Sequence, residues 1–281
     1  MSFKDILVIV DNTKSCSTRL DVAVALAQEH GAHLTGLFVR TTPHVPQFVM
    51  SQLGPEVAEV QKRYAREAAE KARKVFDGKT AGAGIGCEWR EVSGPLVDQC
   101  LLHAKYTDLV VAGQRDGDDD STAEGLDQLL DHLVLEAGRP VLLVPYAGQF
   151  KVVGQRVMVA WNGTREATRA LNDALPLLKK AQEVHVVAVN PHGGNGRDGH
   201  GDVPSADIAL HLARHGVKAD AEAIEAKGMG AGEALLSRAM DEGIDMIVMG
   251  AYGRSRLREL VLGGATRHML RHMTVPILMS H

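Results

Sequence analysis

The chain has 281 residues, which is enough for two domains of about 100–200 residues each. Apolar residues make up 45% and charged residues 23%, and a formal net charge of -4 without a basic stretch excludes an ordinary nucleic-acid interface. Because only 4% of the residues are aromatic, the core must be aliphatic, which favours parallel sheets covered by helices.

The amino-terminal segment predicts neither a signal peptide nor a membrane anchor. Ile6–Val10 is a run of only five apolar residues, too short for either. Cys16, Cys87 and Cys100 form no CxxC motif and no disulfide framework. We therefore expect a cytoplasmic protein that contacts no membrane.

Strands alternate with helices through the first half of the chain. A helix with apolar residues on one face follows the first strand, and a long amphipathic helix is predicted from about Pro55 to Phe76. The predicted strands are Ile6–Val10, Leu34–Val39, Cys87–Val92, Thr107–Gly113 and Gly138–Pro145.

The second half repeats this order of elements. It differs mainly in a Gly-rich loop, His192–Gly201, and a shorter helix from about Ser205 to His215. The alternation predicts a parallel sheet with right-handed crossovers in each half, joined near Tyr146–Gln155. The predicted strands are Val157–Trp161, Val184–Val189, Ala219–Ala226, Ile244–Gly250 and Thr274–Ser280.

A set of glycines follows the fourth strand of the second half. Gly250 and Gly253 come after an apolar run, and the pair Gly263-Gly264 precedes a helical pattern. Glycine turns free backbone N–H groups, and a helix N-terminus adds a favourable dipole. This arrangement is typical of a phosphate-binding site.

The Gly-x2-Gly-x9-Gly spacing resembles the ATP-binding signature of the universal stress protein family, and the duplicated pattern resembles its tandem members over essentially the whole chain. The resemblance implies two domains, 1–147 and 153–281, each a doubly wound α/β unit with a five-stranded parallel sheet of order 3-2-1-4-5. The last strands, Val141–Val144 and Val275–Met279, are expected to pair as a pseudo-dimer. Ligands bind such folds where the strand order reverses.

The resemblance also implies an adenine end of the site. Asn162 stands where the family usually has an Asp that faces adenine, and an amide can both donate and accept. Val189 and Met249 would pack on the ring beside Ala160. The alternatives are that Asn162 caps the next turn and that Val189 and Met249 are ordinary core residues.

The implied phosphate end consists of glycines, Thr266 and one arginine. Gly250 and Gly253 would flank the ribose and phosphates, and Arg254 could neutralise charge or lie on a solvated face with Arg256 and Arg258. The family usually has Ser or Thr after the third glycine, where this chain has Gly264, so one hydroxyl is missing unless Thr266 or Ser255 replaces it. The β- and γ-phosphates of ATP, with or without Mg²⁺, would be held by Gly263, Gly264, Ala265 and Thr266.

The first half is expected to hold no nucleoside triphosphate. Asp11 keeps the adenine-facing Asp, but no second glycine follows Gly113 at the family's spacing. Asp118–Asp120 stand where phosphates would lie, and like charges at close range repel by about 1 kcal/mol per pair even in water.

Three functions remain open from the sequence. The first is an ATP-binding stress-response or signalling protein in which the nucleotide is a switch for an unidentified protein partner. A slow ATPase is disfavoured, because no catalytic residue can be assigned and no general base is placed in the pocket. The third is a scaffold with a vestigial pocket.

The sequence leaves two further questions open. One is whether the pseudo-dimer dimerises further. The other is whether the loop that contains His192, Asp198, His200 and Asp202 binds a metal, although a solvated loop is the favoured interpretation.

Overall fold

The fold is described here from a computed structural model of the protein. The model describes residues 2–41, 47–116, 126–190, 204–253 and 264–281. Arg254, Gly263, the acidic run Asp118–Asp120 and the His192–Asp202 loop lie outside these residues.

Five strands and four helices alternate along the described residues of the first half. The helix that follows the first strand is capped at its C-terminus by Gly31, whose φ of 61° is a left-handed conformation suited to glycine. In chain order the elements are β1 Asp5–Ile9, α1 Cys16–His30, β2 His33–Arg40, α2 Gln47–Thr80, β3 Cys87–Ser93, α3 Leu96–Ala104, β4 Leu109–Gly113, α4 Leu126–Glu136 and β5 Val141–Val144.

The second half repeats that order among its described residues. Its first helix begins at a cap in which Thr164 Oγ1 accepts a hydrogen bond of 3.2 Å from Ala167 N, and it buries one apolar face. The elements are β6 Arg156–Ala160, α5 Arg165–Leu178, β7 Glu183–Val189, α6 Pro204–Arg214, β8 Asp220–Ile224, α7 Ala231–Asp241, β9 Met246–Gly250, α8 Gly264–His272 and β10 Ile277–Ser280.

The ten strands form one sheet with the order β3-β2-β1-β4-β5-β10-β9-β6-β7-β8. Pairing is parallel within each half, and β5 and β10 pair antiparallel, with Leu142 opposite Leu278. The predicted α/β fold and the order 3-2-1-4-5 are therefore confirmed in both halves. The two five-stranded units join through their last strands, which covers edges that would otherwise be exposed.

Helices cover both faces of this sheet and enclose two aliphatic cores. One core contains Leu20, Phe76, Leu171 and Leu212 from α1, α2, α5 and α6. The other contains Leu133, Leu235 and Met269 together with further residues of α3, α4, α7 and α8. The sparse aromatic content therefore leaves packing to aliphatic side chains, as the composition predicts.

The element boundaries differ from the predicted ones by a few residues, with one larger exception. The helix predicted from Pro55 to Phe76 is α2, which runs from Gln47 to Thr80 and continues through Gly54-Pro55. Within the part of the chain that the structure describes, no helix is both long and apolar enough to cross a membrane.

Candidate functional site

A cavity of about 320 Å³ lies at the carboxyl ends of β6, β7 and β9 in the second half. It occupies the point at which the strand order reverses, because β6 pairs with β7 on one side and with β9 on the other. The N-termini of α7 and α8 close it on one face of the sheet. Its lining residues are Ala160, Trp161, Asn162, Thr164, Glu166, Val187, Val189, Ala231, Leu235, Met249, Gly250, Tyr252, Gly253, Gly264, Ala265 and Thr266.

The cavity brings together the nine predicted site residues that the structure describes. They come from the ends of three strands, the turn after β9 and the first turn of α8. They are Ala160, Asn162, Val189, Met249, Gly250, Gly253, Gly264, Ala265 and Thr266. Arg254 and Gly263 lie outside the described residues, so their placement stays a prediction.

Asn162 shapes the loop after β6 with its side-chain oxygen. Its Oδ1 accepts hydrogen bonds from Thr164 N at 3.3 Å and from Thr164 Oγ1 at 2.8 Å. This is the turn-capping role that the sequence left open. The amide nitrogen has no partner among the described residues, so the side chain can still donate into the cavity that it lines.

The turn after β9 is fixed by packing and by α8. A Cβ added at Gly250 would lie 2.3 Å from Ala167 N and 2.4 Å from Glu166 C, so only glycine fits beneath the first turn of α5. Tyr252, at a φ of 56°, donates its backbone N–H to Thr266 Oγ1 at 3.3 Å. The Thr266 hydroxyl therefore holds the turn and retains its own proton to donate.

Gly253 and Gly264 are not required by packing in the same way. Among the described residues, a Cβ at Gly253 would meet its nearest atom, Glu166 Oε2, at an ordinary 3.8 Å, and a Cβ at Gly264 would have no atom within 4 Å. Both glycines line the cavity. The room beside them leaves the backbone N–H groups of the turn and of α8 accessible to a ligand.

Glu166 also lines the cavity, although no sequence motif points to it, so a carboxylate lies in the pocket for which the sequence suggested no general base. Its side chain is only 7% exposed. Oε1 accepts a hydrogen bond of 3.2 Å from Arg165 Nε, whereas Oε2 is buried and has no hydrogen-bond partner among the residues that the structure describes. An acid in the first turn of a helix ordinarily interacts with the helix N-terminus, so its position alone gives no sign of a pocket.

Tyr252 connects the wall of this cavity to the first half of the molecule. Its side chain is buried, and its hydroxyl donates a hydrogen bond to Asp131 on α4. A second contact joins the halves nearby, where Gln114 Nε2 donates to the Leu270 and Arg271 carbonyl oxygens at the end of α8. A residue that lines the cavity of the second half therefore contacts the first half directly.

The corresponding region of the first half has a smaller cavity of about 190 Å³ between β1, β2 and α2. Asp11, Asn12 and Thr13 line it, but Gly113 and Gln114 at the end of β4 do not. Gln114 instead accepts a hydrogen bond from Tyr146 N and reaches α8. This cavity therefore does not include the end of β4.

Arg19 fills the space at the end of β4. Its buried guanidinium donates from Nη1 to Ile9 O at 2.5 Å and to Asp11 Oδ2 at 2.9 Å, and Nη2 donates to Thr13 Oγ1 at 3.4 Å. A Cβ at Gly113 would lie 2.6 Å from Arg19 Nε. Burial alone would raise the pKa of Asp11, but the Arg19 guanidinium holds it below its ordinary value.

The second half has no guanidinium at the matching place. Counting eight residues on from Asp11 gives Arg19, and counting eight on from Asn162 gives Ala170, which is fully buried. With the small side chain there, the first turn of α5 packs directly on Gly250. The difference between Arg19 and Ala170 distinguishes the two sites. It could not be expected from the sequence, because an arginine on a helix is ordinarily exposed, whereas Arg19 is buried.

Comparisons with known proteins agree with the duplicated architecture. The model of the Universal stress protein family matches residues 2–145 and 154–281. The universal stress protein Slr1230 of Synechocystis sp. is 26% identical over 294 aligned positions that cover 98% of this chain and 99% of the relative.

Two solved structures of similar length share the fold. A universal stress protein from Archaeoglobus fulgidus has a TM-score of 0.72 at 18% identity, covering 98% of this chain and 97% of that one. A protein described as a putative universal stress protein from Pseudomonas aeruginosa has a TM-score of 0.56 at 15% identity, covering 99% and 93%. At these identities the likeness concerns the fold alone.

Proposed function

The chain belongs to the universal stress protein family, and from that premise we propose that it binds ATP in the cavity of the second half, as the switch of a stress-response or signalling protein. One observation carries the proposal. Nine residues selected from the sequence for nucleotide binding converge on a single cavity at the switch point of the sheet. Its volume, about 320 Å³, lies within the ~300–1,000 Å³ typical of small-molecule sites.

The adenine end of the proposed site is apolar with one polar group. Ala160, Val187, Val189 and Met249 provide a surface on which a purine ring can pack. The Asn162 amide, whose nitrogen has no partner among the described residues, provides a donor for a ring nitrogen. This division between an apolar wall and a single orienting group is common in ligand sites.

The phosphate end of the proposed site is the N-terminus of α8. Gly264, Ala265 and Thr266 line the cavity there, and the first backbone N–H groups of a helix have no partner within it. Phosphate oxygens satisfy such groups and interact favourably with the helix dipole. A Mg²⁺ ion held mainly by the phosphates would neutralise part of their charge.

We further propose that the first half binds no triphosphate. Arg19 occupies the space beside Gly113, and its ion pair with Asp11 uses one oxygen of the carboxylate that would otherwise face adenine. Thr13 occupies the other oxygen through its backbone N–H and its hydroxyl. Asp11 therefore has no oxygen without a partner to offer a base.

The proposed switch rests on the two roles of Tyr252. This residue lines the cavity and donates a hydrogen bond to Asp131 in the first half. A nucleotide that contacts the turn after β9 therefore changes the surroundings of Tyr252, which lies in the second half and contacts the first half. A ligand shifts such an equilibrium only by its differential affinity for the two states.

We expect Gly264→Val to lower ATP affinity at least tenfold while the fold stays intact. An added Cβ would meet no atom of the described residues within 4 Å, so we expect the fold to accommodate the substitution. The added side chain would stand at the start of α8, in the space that phosphates need. Calorimetric titration with ATP measures the affinity, and circular dichroism checks the fold.

Gly78→Val is the matched control for this variant. Gly78 is exposed on α2 and also has no atom within 4 Å of an added Cβ, but it lies far along the chain from the cavity. It should bind ATP like the wild type. Unchanged ATP affinity in the Gly264 variant would refute the proposed position of the phosphates.

A further inference from the structure

Glu166 is the acidic residue among those that line the cavity, and it is buried. The residue is 5% exposed, and it lies in the first turn of α5, directly beneath the turn after β9. Arg165, which donates to Oε1, is itself 75% exposed and lies on the solvent side. The second oxygen, Oε2, points towards Gly253, with 3.8 Å between it and the position of a Cβ there.

A buried carboxylate oxygen without a donor is costly, and other carboxylates in this protein avoid it. Asp11, with a side chain 24% exposed, is paired with Arg19 and Thr13. Half-buried Asp245 accepts from three successive backbone N–H groups at the start of β6. Leaving a buried acceptor unsatisfied costs about 1–3 kcal/mol, and more for a charged group. A hydrogen-bond donor from a ligand would remove that cost.

The position of Glu166 selects the part of the ligand that supplies this donor. It lies against Gly250 and Gly253, which follow Met249 at the apolar end of the cavity and precede Gly264 at the phosphate end. The phosphates of a nucleotide are acceptors and carry negative charge, so they are repelled by a carboxylate. The ribose lies between base and phosphates, and its hydroxyls are donors that match an unpaired carboxylate oxygen.

We propose that Glu166 is a specificity-determining residue that accepts a hydrogen bond from a ribose hydroxyl and so selects ribonucleotides over deoxyribonucleotides. This inference rests on the proposed function, because it assumes that the cavity holds an adenine nucleotide. It adds the sugar to what the site recognises. It also gives a role to an acid that would otherwise weaken the binding of an anionic ligand.

The test compares ATP with 2′-deoxy-ATP and 3′-deoxy-ATP by calorimetric titration of the full chain. Loss of a hydrogen bond to a charged group should weaken at least one deoxy analogue by about ten- to hundredfold relative to ATP. Glu166→Ala should abolish the preference, and Glu166→Gln, which keeps an acceptor oxygen, should restore part of it. Asp220→Ala, which removes an exposed carboxylate at the start of β8, should keep the full preference.

The outcomes separate this inference from the function on which it rests. Equal affinity of the wild type for ATP and both deoxy analogues would overturn the role of Glu166 and leave ATP binding intact. A chain that binds none of the three nucleotides would overturn the proposed function and this inference with it.

Titrations with Mg²⁺ and with a chelator complete the test. If Glu166→Ala removed the effect of Mg²⁺ but left the sugar preference unchanged, the carboxylate would bind a cation and the inference would be wrong. The wild-type ratio needs no variant, so the test stands even where a substitution disturbs folding.

Discussion

Arg19→Ala is expected to lower the free energy of unfolding by about 3–5 kcal/mol at neutral pH, the range observed when one partner of a buried ion pair is removed. The guanidinium donates to Ile9 O, to Asp11 and to Thr13, and it fills the space beside Gly113. Its removal leaves a carboxylate without its cation and also opens a cavity. Urea denaturation followed by circular dichroism measures the loss.

The pH dependence of that loss identifies its cause. In the wild type the pKa of Asp11 is lowered in the folded state, so the ion pair stabilises the protein above the unfolded pKa, near 3.8, and this stabilisation is lost as the pH falls through the folded pKa. Without Arg19, burial raises the pKa of Asp11, and protonation relieves the penalty. The deficit of the variant should therefore be largest near pH 7 and smaller near pH 4. Equal deficits at both values would contradict the ion-pair explanation.

Arg169→Ala is the matched control. Arg169 forms an ion pair with Asp173 one turn along α5, but its side chain is 50% exposed. Exposed pairs of this spacing contribute well under about 1 kcal/mol. A loss as large as that of the Arg19 variant would show that charge removal, and not the buried network, determines stability.

Gly250→Val is expected to destabilise the protein by about 3 kcal/mol, the upper end of the usual cost of overpacking. The added Cβ would lie 2.3 Å from Ala167 N and 2.4 Å from Glu166 C, and a helix backbone cannot yield as a side chain can. Gly253→Val, three residues along the same turn, meets no atom closer than 3.8 Å and should stay close to wild-type stability. Thermal and urea denaturation of the two variants measure the difference. Comparable losses at the two positions would show that α5 does not pack tightly on β9.

Most of the fold could be predicted because the signals are periodic and occur twice. Buried parallel strands such as Met246–Gly250 are continuous apolar runs, and helices such as α5 repeat apolar residues at helical spacing. The pairing of β5 with β10 followed from the family resemblance, and the structure bears it out. The length of α2 was underestimated because Gly54-Pro55 is a strong helix-breaking signal, whereas the helix continues through that pair to Thr80.

The parts of the candidate site that depend on local backbone geometry could be predicted from the sequence. The parts that depend on packing between helices and strands could not. Glycine turns and strand ends have local signatures, so Gly253 and Gly264 could be identified from their spacing, and Asn162 from the family resemblance. Glu166 and Arg19 have no such local signature. Each lies on a helix, and its burial depends on how closely that helix packs on the sheet. The contrast between Arg19 in one half and Ala170 in the other determines how closely the helix approaches the sheet, and a single sequence does not show that distance.

The proposed site binds one nucleotide per chain, in the second half. Calorimetric titration of the purified protein, freed of any nucleotide that accompanies it, measures the stoichiometry directly. We expect one ATP per chain, with the affinity lowered about tenfold or more in Gly264→Val and unchanged in Gly78→Val. A stoichiometry of two would place a nucleotide in the first half as well and contradict binding by the second half alone. Wild-type affinity in the Gly264 variant, or the absence of any binding, would contradict the proposed site.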